Sequence, residues 1–150
     1  EGKSFNQLAT EMKEKAQKEQ EETLQKATIE NEKLNIRKTI LNSVKWQKEN
    51  RSEYYDNYVY IGLTVKNFKN KDIDAFEAEI EVYNKLKNKL ATLYMKSTDK
   101  FPKNSTQAFS NLYSTIDFNN NIQEIFDTKS QDLYFTFKPT KILFTDGSEI

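Results

Sequence analysis

Residues 58–66 read Tyr58-Val59-Tyr60-Ile61-Gly62-Leu63-Thr64-Val65-Lys66. Every second residue is apolar on one side, where Val59, Ile61, Leu63 and Val65 fall together. Tyr58, Tyr60, Thr64 and Lys66 fall on the other. A period of two marks a strand with one buried face, the usual state in an antiparallel sheet. The pattern returns after a polar turn at residues 67–72, whose two asparagines tolerate left-handed backbone. There Phe76, Ala78, Ile80 and Val82 alternate with Glu77, Glu79, Glu81 and Tyr83.

Working outward, further runs lie at residues 90–96, 107–118, 133–137 and 142–144. Pro102 fixes the loop at 100–105, and Asn119-Asn120-Asn121 breaks the chain. Pro139 is expected to end the run 133–137, since proline cannot serve an interior ladder. Asp146-Gly147 is a tight-turn dipeptide, with only Ser148, Glu149 and Ile150 left to return. The segment 122–126 fits a short strand or a helical turn. Residues 34–46, carrying Ile36, Ile40, Val44 and Trp46, read as an opening strand. About seven short strands without interleaved helices predict an antiparallel immunoglobulin-like β-sandwich, with a small β-barrel as the alternative. The expected core is Val59, Ile61, Leu63, Val65, Phe76, Ile80, Val82, Leu133, Phe135, Phe137, Ile142 and Phe144.

The first part of the chain has another texture. Residues 5 to about 33 contain neither Gly nor Pro and are rich in Glu, Lys, Gln and Ala, all good helix formers. Ser4 is placed to cap the start. Glu11 with Lys15, Glu14 with Lys18, and Glu22 with Lys26 stand in the favourable i,i+4 order. A helix over 5–33 would be ~43 Å long. Phe5, Leu8, Met12 and Ala16 lie on one face, but residues 13–23 are nearly all polar, so the helix reads as a solvated spacer, with a coiled-coil or partner-binding helix as the alternative. The crossover to strand is expected between 30 and 38, which divides the chain into a helical segment, 1–35, and a sandwich, 36–150. The small patch of Phe5, Leu8 and Met12 predicts a monomer or weak dimer. The fold class expected is therefore α+β, mainly β.

Composition removes many functions. The chain has 150 residues, with 23 Lys plus Arg against 23 Asp plus Glu, and neither Cys nor His. Disulfides, thiolate or imidazole zinc sites and Cys- or His-dependent catalysis are excluded. Charges of both signs alternate along the chain, which argues against nucleic acid as a partner. No apolar run approaches the ~20 residues of a membrane-spanning helix. The glycines stand at 2, 62 and 147, so there is no phosphate-cradling loop. Ser110, Ser114 and Ser130 have no histidine to activate them. Asp117, Glu124, Asp127, Asp132 and Asp146 sit among turn formers. The stretch 117–121 offers oxygens but lacks the spacing and glycine of a calcium loop. No catalytic residue, metal or cofactor is expected. What stands out is aromatic: Tyr54, Tyr55, Tyr58 and Tyr60 within seven residues. If the face of Tyr58 and Tyr60 is open, these four are the candidate ligand-binding residues; if it is covered, they are packing. Gly62 beside them marks either a close backbone approach or a bulge.

Two phrases resemble bacterial immunoglobulin-like domains of uncharacterised exported proteins and lipoproteins. One is Leu63-Thr64-Val65-Lys66-Asn67 followed by Lys71-Asp72-Ile73-Asp74-Ala75-Phe76. The other is the ending Phe137-Lys138-Pro139-Thr140-Lys141-Ile142-Leu143-Phe144-Thr145-Asp146-Gly147. The resemblance covers about residues 58–150. It implies an exported protein of the periplasm or cell surface, with the helix as spacer. The start at Glu1, without methionine, fits a removed leader, and a lipidated cysteine would lie upstream of it, which is the membrane attachment this reading allows. The leading function is a non-enzymatic envelope protein serving as a structural or interaction module for a protein partner. The alternative is a carbohydrate- or small-ligand-binding module using the tyrosine face. A third is a subunit whose partner supplies the chemistry.

Overall fold

A computed structural model describes residue 2 and residues 4–150; Glu1 and Lys3, which belong to the stretch read as a processed start, lie outside the described residues. A long helix, α1 (Phe5–Ile40), precedes six strands: β1 (Leu41–Glu53), β2 (Asp56–Asn67), β3 (Ile73–Tyr83), β4 (Lys89–Ser97), β5 (Thr106–Ser114) and β6 (Tyr134–Phe144). A short helix, α2 (Ile122–Asp127), and a 3₁₀ turn (Ser130–Asp132) separate β5 from β6. The class is α+β, and every strand pair is antiparallel. The chain divides into two compact units, Glu1–Asn35 and Ile36–Ile150.

At its start α1 is closed by a reciprocal capping box. Ser4 Oγ accepts from the Gln7 N–H at 3.2 Å, and Gln7 Oε1 accepts from the Ser4 N–H at 3.0 Å. Phe5, Leu8 and Met12 are exposed, and Glu30 pairs with Lys33 at 3.7 Å. The helix runs beyond the crossover expected at 30–38, and the strand expected from residue 34 begins at Leu41. Residues 30–38 are mostly good helix formers, and Arg37 and Lys38 suit the negative end of the helix dipole. The β-branched Ile36, Thr39 and Ile40 imitate a strand, but that preference is weak. The change comes where burial begins: Ile40 and Leu41 are both in the core, and the Ile40 carbonyl accepts from the Phe68 N–H at 2.8 Å. Val44, read as part of the opening strand, lies where the β1 register slips between Ser43 and Lys45, and it is exposed.

The strands form two sheets of three, ordered β1-β2-β5 and β4-β3-β6. Their inner faces share one core. Phe76 of β3 meets Phe109 of β5 edge-on, with centroids 5.6 Å apart, and Trp46 of β1 stacks on Phe135 of β6 at 4.2 Å. Of the expected core, eleven residues are buried and Phe135 is half-buried. Ile73, Leu90, Leu93, Phe101, Ile122 and Ile125 complete it.

Three readings of local structure change, and one left open between strand and helical turn is decided. The run 107–118 stops as a strand at Ser114. The ambiguous segment 122–126 is α2, an interleaved helix whose first turn is held by Asn121 Oδ1 accepting from the Glu124 N–H at 3.2 Å. Pro139 does not end its strand: β6 continues through it. It can do so because β6 is an edge, where a missing N–H is tolerated, and because the register slips between Glu77 and Ala78. In the turn 67–72, neither asparagine is left-handed. Asn67 is fully buried, its Nδ2 donating to the Lys71 carbonyl at 2.9 Å and the Pro102 carbonyl at 3.3 Å, while its Oδ1 accepts from the Lys69 N–H at 3.0 Å. Two loops are thereby tied to the end of β2. At the chain's end Gly147 turns with φ +88°. Ile150 then exchanges backbone bonds with Ile142 along the outer side of β6, at 2.7 and 2.9 Å.

Candidate functional site

The β1–β2 hairpin pairs without interruption from Trp46 opposite Leu63 to Glu53 opposite Asp56. Two residues remain for the turn, Tyr54 and Tyr55, and both have positive φ, +49° and +74°. That is a type I′ turn, whose twist matches the flanking strands. Its usual occupants are Asn-Gly, because an L-residue with a Cβ pays roughly 1–2 kcal/mol to be left-handed. Here two bulky side chains take those positions. Packing does not compensate, since Tyr54 is 93% and Tyr55 107% exposed.

The sequence explains why the tip is bare. From Glu49 to Asp56 both sides of the hairpin are polar apart from the tyrosines, and residues 49–56 are all exposed. The last points of attachment to the core are Lys48 and Asn50. Lys48 Nζ donates to the carbonyls of Phe126 and Thr128 at 3.1 and 2.7 Å, and Asn50 Nδ2 donates to Phe126 at 2.8 Å. These bonds satisfy the free carbonyls at the end of α2. Burial lowers the pKa of Lys48, with the Asp127 charge opposing.

A second apolar segment is fastened beside the hairpin. Thr115 donates both its N–H and its hydroxyl to the Asn57 carbonyl, each at 3.1 Å. The following residues cross toward β4, where Asn120 Oδ1 accepts from the Thr92 N–H at 2.9 Å and the Asn121 N–H reaches the Leu90 carbonyl at 2.7 Å. Between these anchors Ile116 is exposed and Phe118 is 101% exposed. Asp117 accepts from the Asn119 N–H at 2.8 Å and from Asn120 Nδ2 at 3.0 Å. The Asn120 amide and the Asn119 N–H hold its carboxyl below the usual range. The oxygens of 117–121 are thus largely committed to turn donors, and among the described residues no group of three or more acidic side chains could hold a metal ion.

The four tyrosines do not form one platform. Tyr54 and Tyr55 stand at the tip. Tyr58 and Tyr60 lie half-buried on the outer face of their sheet. The Arg51 guanidinium sits 4.4 Å from the Tyr60 ring centroid, and the ring edge comes within 3.4 Å of where a Gly62 Cβ would be. A Cβ there would stand at ordinary contact distance, so the approach does not require glycine; the register passes through Gly62 without a slip, so it is not a bulge. Ile116 and Phe118 were missed by sequence reasoning, which set them in a strand. The run Ser-Thr-Ile-Asp-Phe-Asn-Asn was the available signal: a large apolar pair inside turn formers has no core to enter.

No family model matches the chain, and no curated protein matches it. A solved structure described as an X-ray structure of a Northeast Structural Genomics Consortium target is similar over 74% of this chain and 79% of its own, with 10% identity and a TM-score of 0.41. A likeness at that level carries no functional argument, and the description names no role.

Proposed function

We propose that the unit from Ile36 to Ile150 is a non-enzymatic interaction module of immunoglobulin-like sandwich architecture, in an exported bacterial envelope protein, with the residues before it as tether. Its contact surface is the hairpin tip, Tyr54 and Tyr55, with Ile116 and Phe118 alongside. The observation that carries this reading is the pair of fully exposed tyrosines in left-handed turn positions, where smaller residues would cost less. Backbone strain that packing does not repay is concentrated at functional sites, and exposed aromatics supply binding energy when a partner covers them. Glu53, Asp56 and Asp117 give the surface an acidic rim, which favours a partner with a basic border. The test places a photo-crosslinking amino acid at position 55 or 118, with position 141 as exposed control, in cells producing the chain. A discrete adduct from 55 and 118, absent from 141, is expected; equal labelling from all three would refute the proposal.

The glycan reading keeps one observation in its favour. A depression of about 140 Å³ lies over Gly62, lined by Gln47, Tyr60, Thr64 and Ser110 among others. Calorimetric titration with cell-wall oligosaccharides decides it: heat that disappears in Tyr60→Ala would move the site from the tip to this face.

A further inference from the structure

The two sheets close against each other along β1 and β6, where Trp46 stacks on Phe135. On the opposite side, β4 and β5 each pair with one neighbour only. Between them a seam of about 270 Å³ opens to solvent, floored by Ile61, Leu63, Ile80, Met95, Phe109 and Tyr113.

The direction of the backbone groups along both lips follows from the register. In an antiparallel ladder, alternate residues turn both N–H and C=O away from the partner strand. On β4 the outward set includes Leu90 and Thr92, since their carbonyl and N–H are taken by Asn121 and Asn120 rather than by β3. Tyr94 and Lys96 continue that set. On β5 the Thr115 N–H reaches Asn57 of β2, so the odd residues face β2. Ala108, Ser110 and Leu112 face outward, and the Leu112 N–H is occupied by the Asn111 side chain at 2.9 Å. The chain thus covers the first part of the β4 edge with its own residues and stops. Tyr94, Lys96, Ala108 and Ser110 are left facing the seam.

We propose that this seam accepts an extended segment of a partner polypeptide, which adds as a strand to β4 at Tyr94 and Lys96, sets alternate apolar side chains onto the seam floor, and places an acidic residue opposite Lys96. Two complementarities select this occupant. The first is hydrogen bonding. A hydrocarbon chain would strip water from the outward N–H and C=O groups and replace nothing, at a cost that disfavours it, whereas an extended backbone restores the bonds along β4. The second is charge. Lys96 is the one charged residue lining the seam, and across β4 it already faces Glu77, at 3.9 Å, with Ala78 and Ile80 turned inward beside it. An added strand would repeat on the free side the acidic-outside, apolar-inside pattern that β3 presents on the paired side. This surface is separate from the hairpin tip, and the two proposals fail independently.

The probe is a short synthetic peptide of alternating Val and Thr with one Glu on the Thr face, used with the full chain. Amide hydrogen exchange is the readout. At millimolar peptide the Tyr94 and Lys96 amides are expected to gain protection while the Tyr55 amide does not. The same peptide N-methylated at alternate residues is expected to bind at least about tenfold more weakly, since it cannot complete the ladder. Exchanging its Glu for Lys weakens binding to the native chain and strengthens it to Lys96→Glu. Tyr94→Pro, which removes an outward N–H and leaves the β3 ladder intact, retains the fold and loses the peptide. Absence of protection, equal binding of the N-methylated peptide, or displacement by laurate would overturn the proposal. Protection of the same amides in the concentrated chain without peptide would also overturn it, by assigning the seam to a second copy.

Discussion

Replacing Tyr54 and Tyr55 together by Asn and Gly is expected to stabilise the strand-bearing unit. The turn holds both residues at positive φ. Each L-residue there costs roughly 1–2 kcal/mol, a gross ~2–4 kcal/mol for the pair. Asn is better tolerated than Tyr in this conformation, and Gly carries no penalty for it. Against this, Gly gives up ~0.5–1 kcal/mol to its freedom in the unfolded chain. The lost rings contribute almost nothing, because both tyrosines are exposed. The net is ~1–3 kcal/mol of stabilisation. For a cooperative unit of about this size, ~1 kcal/mol moves Tm by roughly 4 °C, so the double variant should melt ~4–12 °C higher, read by near-ultraviolet circular dichroism. If it melts at or below the parent, the tyrosines stabilise the fold by a route absent from this geometry, and the reasoning fails. The same variant, with the photo-crosslinking residue at position 118, should give a weaker adduct than the parent. Higher stability with poorer binding is the pattern of a residue kept for contact rather than for folding.

Other substitutions test the frame beneath the site. Asn67→Ala withdraws the buried amide from the Lys71 and Pro102 carbonyls and should cost about 2–4 kcal/mol in a urea melt, of which ~1–3 is the unpaired polar group; a cost under ~0.5 would mean that water replaces it freely. Phe76→Ala should cost ~3–5 kcal/mol, and Phe135→Ala clearly less, because Phe76 is fully enclosed and Phe135 is half-buried; the reverse order would misplace the core. Gly62→Ala should change stability by less than ~1 kcal/mol, since the added Cβ meets Gln47 and Tyr60 at ordinary contact distance, 3.4 Å. Glu81 is buried; desolvation alone would raise its pKa, but hydrogen bonds from Lys138 and Tyr83 outweigh it and hold the carboxyl below its usual range. A depressed carboxyl stabilises the fold above the unfolded pKa and loses that contribution as pH falls through the folded one, so Glu81→Gln should cost about 1–3 kcal/mol at neutral pH and flatten the acid limb below about pH 4.

Much of the fold is legible in the alternation of apolar residues. Val59 to Val65 and Phe76 to Val82 face inward as their period requires, because a half-buried strand has only one register that buries its apolar set. The failures share a cause: local preference met a competing tertiary demand. Ile36 and Ile40 favour strands by side-chain shape, yet the helix persisted until the core began at Ile40. Pro139 forbids an interior ladder, yet stands in an edge strand. The helix at 122–127 carried a readable signal, since Asn121 followed by Glu124 is a capping pair, but a segment of six residues is too short for its period to separate a helical turn from a strand. The site was half legible. Clustered tyrosines marked the region, but turn geometry divided them, and nothing local announces that Thr115, at the start of the segment that carries Ile116 and Phe118, is held against Asn57, 58 residues away in sequence.

Three-stranded sheets leave four outer edges, and an unpaired edge invites further strands. The way each edge is treated bears on the seam. β6 is covered by the returning residues Ser148 and Ile150 and carries Pro139. β1 carries a slip at Val44, and its outward side chains include Lys45 and Arg51. The start of β4 is covered by Asn120 and Asn121, and the end of β5 by Asn111. These devices are spaced so that protection lapses over the same stretch of both facing strands, Tyr94 to Lys96 on one lip and Ala108 to Ser110 on the other. Unprotected edge backbone elsewhere would be an aggregation hazard without compensation. Here it borders an apolar floor that the flanking crossovers confine at both ends, so an incoming segment can be only a few residues long and must be extended. A geometry that admits one short strand and excludes indefinite stacking is what distinguishes a recognition edge from an aggregating one. It follows that Asn120→Ala, by freeing the Thr92 N–H, should lengthen the receptive edge of β4: the peptide should then protect the Thr92 amide as well, and a Thr92 amide that stays unprotected would show that Asn120 does not set the limit of the added strand.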